Sequence, residues 1–313
     1  MLHLRAVCPP EQTDQAIELL RAHAGTAHLI VHRGAAVAPE GDLIEVDLAR
    51  EAADEVVDSL CALRLDRTGG ITLEALDTAL SDAADAAEEA APGEGADAVV
   101  WQELLGRTGE ESRWNATFQA FLVIACLLAA VGVITDSPVT VVGAMVVGPE
   151  FGPLAALAVG AVLRRWDLLR QAAAALAVGF PVAMVFTGAI VLLGDAVGVF
   201  DTAAIVGNHE VDFVYQVGEA SFVVALLAGA AGMLAMTSAK SAALVGVFIS
   251  VTTVPAAGYA MVAAVAGSWD RAGYSILQLF VNLVGIVLAA AIVLILRRRK
   301  QRSGDLLRPL SRG

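Results

Sequence analysis

The sequence predicts an α-helical polytopic membrane protein with a small α/β domain at its N-terminus. Composition is the first reason. Of the 313 residues, 57% are hydrophobic and mean hydropathy is +0.70, too apolar for a soluble globular chain. The second is a series of six apolar stretches after residue 115. Apart from a short fourth, each has the roughly 20 residues a helix needs to cross a bilayer. The third is the run before them, where strand-like segments alternate with amphipathic helical ones.

Residues 1–76 carry that alternation. Leu2–Cys8 reads as a strand, and Pro9-Pro10 breaks it. Thr13 can cap a helix through Ala24, with Ala16, Ile17, Leu19 and Leu20 apolar. Ala27–His32 and Asp42–Leu48 are two further strands, the latter with Ile44 and Val46 alternating. Glu51–Leu63 is a second helix turning Val56, Val57, Leu60 and Leu63 inward. Ile71–Leu76 is a last strand after the Gly69-Gly70 turn. The order βαββαβ is that of ferredoxin-like folds. Such a cytoplasmic domain fits small-molecule sensing and also fits assembly or partner contacts, because fold alone does not establish binding.

His3, His23, His28 and His32 have no ligand spacing, and Cys8, Cys61 and Cys126 lie far apart without a CxxC. No metal, cofactor or disulfide framework is expected. Cys126, inside an apolar run, reads as a small filler. The start MLHLRAVCPPEQ lacks a basic segment followed by an apolar one, so no signal peptide is expected. Net charge is −13, with the acid concentrated before residue 113. A basic footprint is absent, which argues against nucleic acid as a partner.

Residues 77–114 read as an acidic linker and surface helix. Leu76–Gly95 is rich in Ala, Asp and Glu and ends in Pro92-Gly93-Glu94-Gly95, a polar helix running into a joint. Val99–Leu105 reads as an amphipathic turn at the membrane surface. The spans of a membrane domain over 115–300 then follow: Phe118–Thr135, Val139–Leu163, Leu169–Leu193, Ala220–Met236, Ala242–Ala266 and Ser275–Leu296. A basic tail, 301–313, closes the chain. Arg164, Arg165 and Arg170 lie between spans two and three, Lys240 between four and five, and Arg297–Arg302 after six. By the positive-inside rule all of these, and both termini, face the cytoplasm of a multi-pass cell-membrane protein. The outer loops carry only Arg271.

Span two is interrupted. Gly148-Pro149-Glu150-Phe151-Gly152-Pro153 falls in its middle, where two prolines and two glycines weaken a helix. Non-helical backbone at that depth survives only inside protein or beside a water-filled cavity. Span five aligns on span two about 100 residues further on, at one offset with no gap. Val142-Gly143 meets Val245-Gly246, and Trp166-Asp167 meets Trp269-Asp270. Glu150 falls on Thr253, and Gly152 on Pro255. Two units of three spans each are therefore expected, the second inverted. Inverted repeats with broken helices are a transporter signature.

These residues resemble a membrane-protein family, domain of unknown function 389. The stretch Gly143-Ala144-Met145-Val146-Val147-Gly148-Pro149-Glu150-Phe151-Gly152-Pro153 is similar to the family's Gly-Ala-Met-Leu-(Ile/Val)-Ser-Pro-Leu-Met-Gly-Pro. Ala243-Leu244-Val245-Gly246-Val247 to Val254-Pro255 resembles its Ala-Leu-Val-Gly-Val…Val-Pro-Pro, and Asn282-Leu283-Val284-Gly285-Ile286 its last-span motif. The resemblance covers roughly Phe118–Leu296 and implies a soluble N-terminal domain. This chain departs from the pattern at Gly148, where the family has Ser, and at Glu150, where it has an apolar residue.

The candidate substrate or ion site is Gly148, Pro149, Glu150, Gly152, Pro153, Ser250, Thr252, Thr253, Pro255 and Asn282. A carboxyl at mid-bilayer depth is a functional-site hypothesis by default. Its plain alternative is a group facing a watery vestibule or freed backbone N–H groups. Ser250, Thr252 and Thr253 offer hydroxyls to a solute or to freed backbone. Asn282 serves a substrate contact or interhelical glue. Asp136 and Ser137 read as a helix cap. Asn208-His209-Glu210 with Asp212 reads as a solvated loop. No Lys or Arg lies within a span, so the sequence leans toward a cation or proton. The small residues of the spans permit a homo-oligomer. No nucleophile-base pair appears at membrane depth, so an enzyme is not expected. The expected function is secondary transport of a small solute or ion, with a channel gated by the soluble domain, or a sensor, as alternatives.

Overall fold

The computed structural model describes residues 1–76, 78–91, 98–202, 211, 218–238 and 252–306, with the backbone alone at 219–220 and 301–306. The chain forms two compact units, one built on Met1–Leu104 and the other beginning at Leu105.

The first unit is a four-stranded antiparallel sheet with helices packed on it. Its elements are β1 (Leu2–Cys8), α1 (Pro10–Ala22), β2 (Thr26–Val37), β3 (Glu40–Leu48), α2 (Arg50–Ala62), the single turn α3 (Leu65–Thr68) and β4 (Gly70–Ala75). The strands lie in the order β2-β3-β1-β4, and each neighbouring pair is antiparallel. Alternation along β1 buries Leu2, Leu4, Ala6 and Cys8 against Ala16 and Leu20 of α1 and Ala53, Val56 and Leu60 of α2. This period-2 face is what the strand pattern predicts. A further helix, α4 (Asp82–Ala90), packs against β2 and β3, capped by Ser81.

Three local expectations change. Pro9-Pro10 starts α1 rather than ending a strand only, because a proline at the first helical position gives up an N–H that has no partner there. Thr13 is therefore no cap. It sits buried inside the first turn and donates its hydroxyl to the Pro9 carbonyl at 3.1 Å. Strand β2 runs on to Val37 because it pairs with β3 as a hairpin.

The second unit is helical. Helix α5 (Trp101–Glu111) straddles the boundary and extends past the predicted surface turn. Then come α6 (Ala116–Ile134), α7 (Pro138–Val147), α8 (Phe151–Leu163), α9 (Trp166–Ala196), α10 (Glu219–Thr237), α11 (Thr253–Val265) and α12 (Trp269–Leu306). Helices α6, α9 and α12 are each long and apolar enough to cross a membrane, and α7 with α8 is a bent pair that counts as a fourth. The apolar α10 and α11 are shorter. These helices mark a membrane-embedded protein. The predicted fifth span is thus a 13-residue helix over its second half, and its first half lies outside the described residues.

The peripheral helices expose apolar side chains outward, among them Phe121 and Ile124 on α6, Phe186 and Leu193 on α9, and Phe280 and Leu288 on α12. By contrast, Phe151–Ala156 of α8 and Thr253–Ala260 of α11 are buried without exception. Glycine permits this. A β-carbon on Gly258 would lie 2.8 Å from the Cys126 carbonyl oxygen of α6, so only glycine lets α11 approach so closely.

Element bounds recur at one spacing of 103 positions, the separation of Glu150 from Thr253. Ala116 and Ile134 bound α6 as Glu219 and Thr237 bound α10, and Trp166 starts α9 as Trp269 starts α12. The turns repeat as well. Arg165 N–H bonds the Gly160 carbonyl at 2.8 Å, and Ser268 N–H bonds the Ala263 carbonyl at 2.8 Å. Arg164 and Gly267 both take positive φ there. Helices α8 and α11 nevertheless end at opposite ends of α12. The Val162 carbonyl accepts from Arg298, whereas Val262 packs in one cluster with Ala272.

Candidate functional site

The helix break arises from local chemistry. Ser137 caps α7, accepting from the Thr140 N–H at 3.3 Å, and Pro138 follows at the first position. Ten residues later the chain reaches Gly148-Pro149. A residue before proline is pushed out of the helical region, and Gly148 has φ −63 and ψ 130. Helix α8 restarts at Phe151, bent 52° from α7. Pro153 is the third residue of α8 and Pro255 the third of α11. Both occupy a first turn, where a missing N–H leaves no hydrogen bond unmade.

The N-termini of α8 and α11 meet through side chains. Thr253, the first residue of α11, donates its hydroxyl to Glu150 Oε1 at 2.6 Å. Glu150, immediately before α8, is only 4% exposed. Its second oxygen, Oε2, has no hydrogen-bond partner among the described residues. That oxygen folds back over Gly148, in the space a β-carbon at residue 148 would fill. A β-carbon at 148 would meet both that oxygen and, at 2.8 Å, Val254 Cγ2 of α11, so the glycine leaves room for the carboxyl of residue 150 and for the neighbouring helix.

A polar chain continues from the same helix start. Thr252 precedes Thr253, and its hydroxyl accepts from Asn282 Nδ2 at 2.7 Å. Asn282 Oδ1 accepts from Gln278 Nε2 at 3.4 Å, and the same amide nitrogen donates to the Ser221 hydroxyl of α10. Asn282, Gln278 and the nearby Ser275 are buried. Gln278 Oε1 and Ser275 Oγ also lack partners among the described residues.

On another side, the break lines a cleft of about 430 Å³. Gly148, Pro149 and Gly152 form one wall, and Arg107, Glu110, Glu111 and Arg113 contribute to the other. Arg107 and Glu111 pair at 3.0 Å. Gly152 permits close packing on α5: a β-carbon there would lie 2.6 Å from that of Glu111.

Of the residues singled out in the sequence, Glu150, Thr252, Thr253 and Asn282 come together as a polar centre. Gly148, Pro149, Gly152, Pro153 and Pro255 shape the backbone around it. Ser250, Asn208, His209, Glu210 and Asp212 lie outside the described residues. Sequence reasoning missed Ser221, Ser275 and Gln278. The signal was present: Ser275, Gln278 and Asn282 stand at i, i+3 and i+7, one face of an apolar helix.

The first unit holds a second polar cluster. Asp47 accepts from His3 at 2.8 Å and pairs with His28 at 2.7 Å, and Glu45 lies 3.4 Å from His32. Burial raises the Asp47 carboxyl, but the two imidazoles outweigh it and hold it below the usual range. No group of three or more His, Cys, Asp or Glu among the described residues could hold a metal ion. Elsewhere in this unit burial pushes the Asp54 carboxyl up to about 6, with Asp58 adding to the rise, although Asp54 accepts the Trp101 N–H at 2.9 Å.

The fold and this centre define a class: a membrane-embedded helical protein whose buried polar site lies where an interrupted helix meets a second helix start. Residues 145–288 match the family model described as Domain of unknown function (DUF389), the family its motifs resemble. The matched segment contains Glu150, Thr252, Thr253, Gln278 and Asn282. No curated protein and no solved structure matches the chain.

Proposed function

We propose that this protein is a secondary transporter of a small solute or ion, working from a site between the N-termini of α8 and α11. The observation that carries this reading is the Thr253–Glu150 hydrogen bond at 2.6 Å. It joins two helix starts, each fully buried, inside an apolar bundle. Half-helices meeting near the midplane are how such carriers place a binding site where lipid would otherwise exclude polar atoms.

The repeated bounds and turns support six spans arranged as two three-span repeats. An odd span count inverts the second repeat. The opposite destinations of α8 and α11 along α12 favour that inversion. In this reading both termini are cytoplasmic and the cleft beside Arg107 and Glu111 is the inner vestibule. The βαββαβ order and the β2-β3-β1-β4 sheet support a ferredoxin-like N-terminal domain that regulates transport.

The test is reconstitution of the full chain into proteoliposomes with labelled ions and metabolites. Saturable uptake with counterflow is the expected result. Current without saturation or counterflow would make the protein a gated pore, and no flux of any solute would leave a sensor.

A further inference from the structure

We infer that the Glu150 carboxyl is the ionisable acceptor of the site, and that the site takes a small monovalent cation, the proton included, and excludes anions. A pair of helix N-termini in a membrane ordinarily favours an anionic ligand, because each carries a partial positive charge. Here that place is already taken. Residue Glu150 stands immediately before α8 without its side chain capping that helix, and its Oε1 accepts from the hydroxyl of the first residue of α11. The other oxygen, Oε2, lies over Gly148, the residue that ends α7. It therefore sits at a helix C-terminus, whose unpaired carbonyls favour positive charge. One carboxyl group thus lies between the start of α11 and the end of α7, with its unpartnered oxygen on the α7 side.

The unpartnered atoms agree. In the second unit the buried side-chain atoms without a partner among the described residues are Glu150 Oε2, Thr187 Oγ1, Ser275 Oγ and Gln278 Oε1. All are oxygens. In the first unit the same class includes nitrogens of His23 and Arg50. The two hydroxyls can turn either way, but Glu150 Oε2 and Gln278 Oε1 have no amide or hydroxyl proton to give, so a cation finds acceptors at both and an anion is met by a carboxyl and an amide oxygen. Charge balance sets the valence. Among the described residues of this unit Glu150 is the one buried carboxyl, and an uncompensated charge in a low-dielectric interior is expensive. A monovalent cation leaves the pair neutral. A divalent one leaves a net charge buried.

Binding then balances as an exchange. A carboxylic acid that takes up an alkali or ammonium ion releases its proton to water, and the carboxylate keeps the electron pair. This deepens the transport reading and rests on it only for direction of movement, since binding is read without flux.

The experiment uses the purified full-length protein in nanodiscs at constant ionic strength. Sodium, lithium, potassium and ammonium are exchanged against N-methylglucamine, and chloride against nitrate, sulfate and phosphate. Thermal unfolding, proton release and the infrared carboxylic-acid band are recorded. Wild type is expected to respond to one or more cations with release of a proton and loss of the acid band, and not to anions. Glu150→Gln should weaken that response about ten- to a hundredfold, at least the loss typical of groups that support a metal site. An acid band that titrates with pH and ignores every alkali ion would identify the proton as the cation and also support the proposal. Stabilisation by an anion, or a Glu150 carboxyl insensitive to both pH and cations, would overturn it. The salt series on wild type decides the sign even if Glu150→Gln fails to fold. Cation binding without flux would sink the carrier reading and leave this one standing. Flux without cation dependence would do the reverse.

Discussion

Two helix starts meet at the centre of the membrane unit, and they solve the same backbone problem with different chemistry. At α8 the chain turns on Gly148-Pro149 and presents a carboxyl; at α11 it presents two hydroxyls, Thr252 and Thr253. Both place proline third in the helix, and both are buried throughout their first six residues. The difference is in what each start can tolerate alone. Glu150 needs a donor and a glycine beside it, and the partner start supplies the donor. Thr253 needs neither. The two starts are alike in backbone and unlike in side-chain chemistry, so exchanging their side chains should not be neutral.

The largest expected effect is at Glu150. Glu150→Gln keeps shape and volume but removes the only buried carboxyl among the described residues of the unit. Ion-dependent flux in proteoliposomes should fall about ten- to a hundredfold, the loss typical of groups that support a metal site, with near-normal thermal unfolding. Unchanged flux would make the carboxyl a structural cap.

The next effect tests the pair. Thr253→Val leaves the Glu150 carboxyl without its donor, and an unsatisfied buried acceptor costs about 1–3 kcal/mol. The unfolding midpoint should drop, and adding Glu150→Leu should recover much of the loss. Additive single and double mutants would show that the two side chains do not interact.

A third variant tests the spatial link between residues 148 and 150. Gly148→Ser puts a β-carbon where Glu150 Oε2 lies and 2.8 Å from Val254 Cγ2, an overpacking penalty of about 1–3 kcal/mol of which Glu150→Leu can relieve only the first part. The double variant Gly148→Ser, Glu150→Leu should be more stable than Gly148→Ser alone. If it is less stable, the two positions are not coupled.

The smallest effect lies in the first unit and contrasts a half-exposed carboxyl with the buried one. Asp54, held up to about 6 by burial, binds a proton more readily folded than unfolded. Its contribution therefore favours the fold at low pH and is lost as pH rises from the ordinary carboxylate range through about 6. Asp54→Asn should flatten that slope of stability against pH, measured by chemical unfolding. An unaltered slope would assign it to other groups.

The histidines show where sequence spacing gives out. His3, His28 and His32 sit at no ligand spacing, yet sheet pairing brings β1, β2 and β3 together, so that His3 and His28 share Asp47 and His32 approaches Glu45. Pairing partners are distant in the chain, and no local pattern encodes them. Pro9-Pro10 shows the opposite limit: it ends β1 at Cys8, as expected, and also starts α1. A local breaker signal has two meanings, strand end and helix start, and only the hydrogen bonds choose between them.

By itself the sequence determined the apolar spans, the interruption at Gly148-Pro149-Glu150 and the spacing that sets Glu150 against Thr253. These follow from length, hydropathy and the steric limits of glycine and proline, which act within a few residues. Tertiary structure alone decided that Thr253 donates to Glu150, that Oε2 turns toward Gly148, and that Gln278 and Ser221 join the same chain of polar groups. Those choices depend on which helices touch and how closely. Close approach is set by small residues such as Gly258 on surfaces far apart in the chain, and only the packed bundle fixes it.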